Sequence, residues 1–247
     1  MAKPQHNLTP AAQHRLRKLA AQQKPSESQR RQDLNAFELM LAQLYEHKKI
    51  LKGIQSMELK GQKKAEFLPE YMPYVDGALS ADHGEPDEII STMMIWAIDA
   101  GDIDTALRIG AYVLIHKLPL PDYFGRTTAT GLAEEIADLA LRDETAVSAA
   151  QLTTLFELVD PEDMPDQVRS KLHKALGLAL MEEGALSDAL EMLKSATRFN
   201  DRAGVKKQIS ALEKQLQEEH QQDQQPATAE ANATTEQPSA DTPSADA

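Results

Sequence analysis

Residues 86–115 read PDEIISTMMIWAIDAGDIDTALRIGAYVLI, and this stretch decides the fold class. Pro86 opens an apolar pattern in which Ile89, Ile90, Met93, Met94, Trp96, Ala97 and Ile98 recur at helical spacing, until Gly101 interrupts it. Asp102 or Asp104 then starts a second helix through Ala106, Leu107, Ile109 and Val113 to Ile115. Two helices joined at a glycine form a hairpin. The same punctuation returns further on, where Gly184-Ala-Leu-Ser-Asp-Ala-Leu190 matches Gly101-Asp-Ile-Asp-Thr-Ala-Leu107 at the glycine, at the aliphatic two places later and at Ala-Leu. Around the second copy, Leu176, Gly177, Leu180, Ala189, Leu193 and Ala196 have the small-and-large spacing of a tetratricopeptide-like hairpin. The copies lie 83 residues apart rather than at a period near about 34, so they read as two hairpins and not as a regular solenoid.

Working outward, the remaining segments keep the helical habit. A short basic helix follows Thr9-Pro10, and an apolar face runs from Leu34 through Phe37, Met40, Leu41, Leu44, Ile50 and Leu51. Ser56 caps a further short helix, which the sequence ends before Pro69 because proline lacks an N–H donor and restricts the residue before it, leaving 69–80 as a connector. Residues 117–126, with two prolines and a glycine, form the best internal boundary, and helical patterns then cover about 131–143, 148–159, 166–183, 187–199 and 202–219. No alternating, β-branched run is present, so the expected fold is all-α: helical hairpins, partly tetratricopeptide-like, with a disordered acidic C-terminal tail. The expected organisation is a basic arm at 1–33, a first helical part at 34–116, a second at 127–219 and the tail at 220–247.

The chain has 247 residues and a formal net charge of −13, which hides two opposed regions. Residues 1–66 carry thirteen Lys and Arg against six Asp and Glu, a formal +7, whereas residues 67–247 carry thirteen against 33, a formal −20. A phosphate backbone responds to potential within a Debye length of about 8–10 Å, not to net charge, so the first quarter can still meet nucleic acid.

The chain holds no cysteine, which excludes disulfides, thiolate zinc sites and a cysteine nucleophile. Its glycines form neither a phosphate-cradling Gly-x-x-x-x-Gly-Lys-Ser/Thr run nor a Gly-x-Gly-x-x-Gly turn, and its histidines never stand three or four apart. The acids cluster at 82–88, 99–104, 134–138 and 160–166, where paired carboxylates could hold magnesium for phosphodiester cleavage. Each cluster also sits at a helix start or in a loop, where carboxylates cap backbone amides. No apolar run reaches the roughly 18 residues of a membrane span, and a soluble, cytoplasmic protein is expected.

Several strings identify relatives. Ser56-Met-Glu-Leu-Lys-Gly-Gln-Lys-Lys64, Leu68-Pro-Glu-Tyr-Met-Pro-Tyr74, Met94-Ile-Trp-Ala-Ile-Asp-Ala-Gly-Asp102, Asp163-Met-Pro-Asp-Gln-Val-Arg-Ser-Lys-Leu-His-Lys174 and Gly204-Val-Lys-Lys207 occur in order over residues 34–216. This set resembles the small terminase subunits of peduovirus-type tailed phages, a family also labelled the terminase endonuclease subunit. The resemblance implies a phage or prophage protein of the bacterial host cytoplasm. Such a protein binds double-stranded viral DNA at the packaging (cos-type) site, self-associates and recruits a large ATPase subunit that cuts and packages concatemeric DNA. It implies no cofactor for this chain, magnesium belonging only to the holoenzyme. Relatives end in a lysine-rich tail, whereas this chain has seven acids and no Lys or Arg after Lys214.

The phosphate contacts are therefore expected from Arg15, Arg17, Lys18, Lys24, Arg30, Arg31, Lys48, Lys49, Lys52, Lys60, Lys63 and Lys64. No catalytic or metal-binding residue is assigned. Two rival readings stand beside this one: a tetratricopeptide-like interaction scaffold without nucleic acid, and a magnesium-dependent endonuclease using one of the acid clusters. The apolar faces at 34–51 and at Val205, Ile209, Leu212 and Leu216 both call for partners, within the chain or in a second copy.

Overall fold

The computed structural model describes residue 18, residues 27–120 and residues 125–223, and among them every regular element is a helix. The expected positions of Arg15, Arg17 and Lys24, and the tail from residue 224 onward, lie outside the described residues. In chain order the helices are α1 (Glu27–Lys52), α2 (Met57–Ala81), α3 (Glu88–Asp99), α4 (Ile103–Ile115), α5 (Thr128–Arg142), α6 (Ala149–Val159), α7 (Asp166–Glu182), α8 (Leu186–Phe199) and α9 (Lys206–Asp223).

Short polar side chains mark the starts. Ser56 accepts from the Leu59 amide at 3.3 Å, Asp102 from the Thr105 amide at 3.1 Å, and Ser148 forms a reciprocal capping box with Gln151. Such caps are worth about 1 kcal/mol each because they satisfy amides that have no partner inside the helix. Gly101 and Gly184 end α3 and α7 at φ +78 and +80, a backbone that only glycine adopts freely.

One expectation fails in α2. The segment 69–80 is no connector, because the helix runs unbroken from Met57 to Ala81 with Pro69 and Pro73 inside it. Proline in a helix interior costs on the order of 3 kcal/mol. Here Leu68, Tyr71, Pro73, Tyr74, Val75, Gly77 and Ala78 are all buried. Burial at about 25 cal/mol per Å² over so many side chains outweighs the local preference.

Helix α3 is the hub. Every residue from Ile89 to Ile98 is buried, which is why that stretch is apolar all round instead of striped. It packs against α2, α4 and α5, and one buried core runs from Met40 to Leu176. A second, smaller core of Ala189, Leu193, Val205 and Leu212 joins α8 to α9. The α9 stripe that called for a partner therefore finds it within the chain.

Candidate nucleic-acid interface

Helix α1 ends and α2 begins around the short connection 53–56, so the two lysine triplets of the sequence flank one turn. Lys48, Lys49 and Lys52 occupy the last turns of α1, where the negative end of the helix dipole favours cations. Lys60, Lys63 and Lys64 occupy the first two turns of α2. The pair is fastened by aromatic contacts. His47 stacks on Phe67 with ring centroids 3.7 Å apart, and its Nδ1 lies 2.9 Å from the Tyr71 hydroxyl. Tyr71 in turn meets Trp96 of α3 edge-on. Burial lowers the His47 pKa against the opposing field of Glu70, and burial raises that of Tyr71, so both rings stay uncharged at neutral pH.

Two of the acids that face these lysines come from distant sequence and two from three residues away on the same helix. Lys48 pairs with Glu88 at 2.6 Å, Lys64 with Asp99, and Lys63 with Glu66, while Lys49 stands 3.8 Å from Glu46. Lys52 is exposed and Lys60 half-exposed, and among the described residues neither has a carboxylate within ion-pair distance. The Lys49 and Lys63 pairs are exposed on both sides; such pairs contribute about 0–1 kcal/mol and are screened by salt, so a polyanion can compete for these two ammonium groups. Arg30 and Arg31 lie in the first turns of α1, and Lys18 is helical and exposed. The same two helices expose Leu39, Tyr45, Ile50, Met57 and Leu59, Leu39 by 72%.

Acids of the 82–88, 99–104 and 134–138 clusters are spent on architecture. Asp87 accepts from the Ile89 amide at 2.7 Å and from the Tyr74 hydroxyl, and burial pushes its pKa up. Asp102 caps α4, and Asp104 accepts from Gln151 of α6 at 2.8 Å. Glu134 and Asp138 of α5 take Lys171 of α7 at 3.0 and 2.9 Å, and Arg126 binds both Glu134 and Glu135. Burial alone would raise the Glu134 pKa, but Lys171 and Arg126 outweigh it and hold the carboxylate low. Among the described residues no group of three or more His, Asp or Glu is placed to hold a metal ion. Nor is any described helix long and apolar enough to cross a membrane.

Comparison with known proteins bears on the same region. Residues 41–167 match the family described as phage small terminase subunit. The chain is 40% identical over 211 residues to a protein of Escherichia phage P2 named "Terminase, endonuclease subunit", the match covering 84% of this chain and 85% of that protein. No solved structure matches the chain.

Proposed function

The chain belongs to the phage small terminase subunits, and from that premise we propose that it binds duplex viral DNA at the packaging (cos-type) site and recruits the large ATPase subunit. The observation that carries the reading is the turn between α1 and α2, where six lysines stand on two helix ends within seventeen residues. Among the described residues Lys52 and Lys60 lack a carboxylate partner, and Lys49 and Lys63 meet exposed carboxylates of their own helix that a phosphate can displace. The basic N-terminal residues, Arg15, Arg17, Lys18, Lys24, Arg30 and Arg31, extend this charge along the chain. Host cytoplasm is where concatemeric viral DNA would be met. The exposed apolar side chains of α1 and α2 suit contacts with further copies of the chain or with the large subunit.

The name of the phage P2 relative includes an endonuclease. For this chain we place the nuclease centre on the large subunit. The carboxylates of Asp87, Asp102, Glu134 and Asp138 are each engaged by an amide, a hydroxyl or a cation, and a metal would have to displace those partners.

A titration of duplex DNA at several salt concentrations tests the proposal. Six phosphate contacts give a log–log slope of about −5, from about −0.9 per neutralised phosphate. Deleting residues 1–33, which removes seven basic residues, should flatten that slope. Unchanged affinity and slope after the deletion would remove the basic quarter from the site. In the same assay, magnesium should leave the DNA uncut until the large subunit is added.

A further inference from the structure

We propose that the connection between α8 and α9 is a second phosphate-binding surface for duplex DNA, carried by Arg198, Arg202, Lys206 and Lys207. The inference rests on the DNA-binding reading above and adds to it a contact region in the acidic half of the chain. The formal −20 of residues 67–247 conceals this region, because nine of that segment's thirteen Lys and Arg lie between residues 169 and 214.

Five of the nine are occupied. Lys171 bridges Glu134 and Asp138, Lys194 pairs with Glu213 at 2.7 Å, and Lys214 with Glu218 at 3.5 Å. Arg169 is held by Asp160, and Lys174 donates to the Ala203 carbonyl at 3.0 Å. The other four are Arg198, Arg202, Lys206 and Lys207. All are exposed, and among the described residues none of them has a carboxylate within 4.0 Å. Asp201, in the middle of the stretch, is exposed and makes no ion pair with them. The Arg198 guanidinium carbon lies 4.9 Å from the Phe199 ring centroid, a cation–π contact made by a side chain that is still exposed.

The placement costs stability in the isolated chain. Lys206 and Lys207 are the first two residues of α9, at the positive end of the helix dipole, where cations are unfavourable. Helices α2, α3, α4, α7 and α8 carry an acid in the first turn, Glu58, Glu88, Asp104, Asp166 and Asp188, and α5 and α6 carry neither acid nor cation there. Helix α9 has none, and the residue before it is the buried Val205, which offers no side-chain acceptor. A phosphate oxygen would relieve the mutual repulsion of the cations and meet the first-turn amides together.

The support beneath is stiff. Asn200 accepts from the Arg202 amide at 3.0 Å and its carbonyl from the Ala203 amide at 3.0 Å, while Gly204 turns the chain at φ +77. The surface also differs from α1 and α2 in having no exposed large apolar side chain. A protein partner would call for an apolar centre, whereas a phosphate backbone asks for charge alone.

Duplex DNA titrated against the full chain over a range of salt tests the inference. Changing Arg198, Arg202, Lys206 and Lys207 together to Gln should flatten the slope by about three to four and weaken binding at least about tenfold near 0.1 M salt. Lys194→Gln, on the same helix but ion-paired, should leave both unchanged, as should Arg198→Lys with Arg202→Lys. The double change Lys206→Gln with Lys207→Gln should give about half the effect, and melting curves confirm the fold of each variant. A quadruple variant with the parent's affinity and slope overturns this inference alone, as does an equal loss in Lys194→Gln. A full chain that binds no duplex DNA overturns the proposed function and this inference with it.

Discussion

In the α7–α8 hairpin a Cβ added at Gly177 would lie 2.7 Å from a methyl of Leu193 and 3.1 Å from its backbone nitrogen, so the helices touch backbone to side chain. In the α1–α2 pair the contact is made by large side chains, His47 on Phe67 and Phe37 against Tyr74, and Leu39, Tyr45 and Ile50 face solvent. Ser170 fastens the α7–α8 hairpin with a buried hydrogen bond to the Ala196 carbonyl at 2.8 Å, whereas α1 and α2 are joined by the His47–Tyr71 and Gln43–Glu70 hydrogen bonds, their Lys48 and Lys64 pairing instead with the two ends of α3. Close approach through glycine and alanine buries the facing side chains and leaves no large apolar group of these two helices exposed. Packing through long side chains leaves lysines and apolar groups outside, which suits a binding surface.

The largest expected effect breaks the tight hairpin. Gly177→Val forces a branched side chain into Leu193 and should cost about 2–3 kcal/mol, a Tm drop of about 5–10 °C in a thermal melt. Leu39→Ala in the open hairpin should move Tm by no more than about 1–2 °C, because that side chain is already 72% exposed. Equal effects would erase the distinction between the two regions.

Each hairpin also encloses one histidine whose pKa burial lowers, His47 in α1–α2 and His173 in α7–α8. His173 lies between Phe156 and Phe199 with Nδ1 2.8 Å from the Arg169 carbonyl, and Arg169, Arg198 and Asp160 supply the charges around it. Glu70 is the charge that opposes burial at His47. An unfolded histidine takes up its proton near about pH 6.5, while the folded ones resist. Their contribution is therefore complete above that pH, falls as pH drops below it, and levels off once the folded group is protonated. The Tm difference between pH 7.5 and 5.0 should shrink in His173→Gln, and shrink less in His47→Gln, where Glu70 and greater exposure already favour the charged form. A larger change at His47 would reverse the order of burial claimed for the two hairpins.

The hairpins differed in how readable they were. Helices α3, α4, α7 and α8 announce themselves because glycine, aspartate and asparagine stand at their ends and the apolar spacing is regular. Helix α2 did not, since Pro69 and Pro73 are local stop signals, and only the burial of Tyr71, Tyr74 and Val75 against α3 overrides them. The lysines of the first hairpin were visible as residue types, but their partners were not: Glu88 and Asp99 lie 40 and 35 residues away from Lys48 and Lys64. Arg198, Arg202, Lys206 and Lys207 were obscured for another reason. A regional charge sum averages them with an acidic surround, and only the ion pairs seen in space show which cations are left over.

The smallest expected effect concerns the C-terminus, the most acidic counterpart to the basic first quarter. Residues 224–247 contain no Ile, Leu, Val, Met, Phe, Tyr or Trp, so they have almost no apolar surface to bury. Removing them should leave Tm unchanged within about 1 °C, because nothing in their composition offsets ordering costs of about 1–2 kcal/mol per residue. Their four carboxylates could act only through tethered competition with DNA for the lysines of α1 and α2 or for the α8–α9 connection. Four dispersed charges on a long tether compete weakly against a phosphate backbone, so affinity for duplex DNA at 0.1 M salt should change by less than about twofold. A markedly tighter complex after truncation would show that the tail screens a basic surface, and repeating the titration with the α8–α9 variant would identify which one.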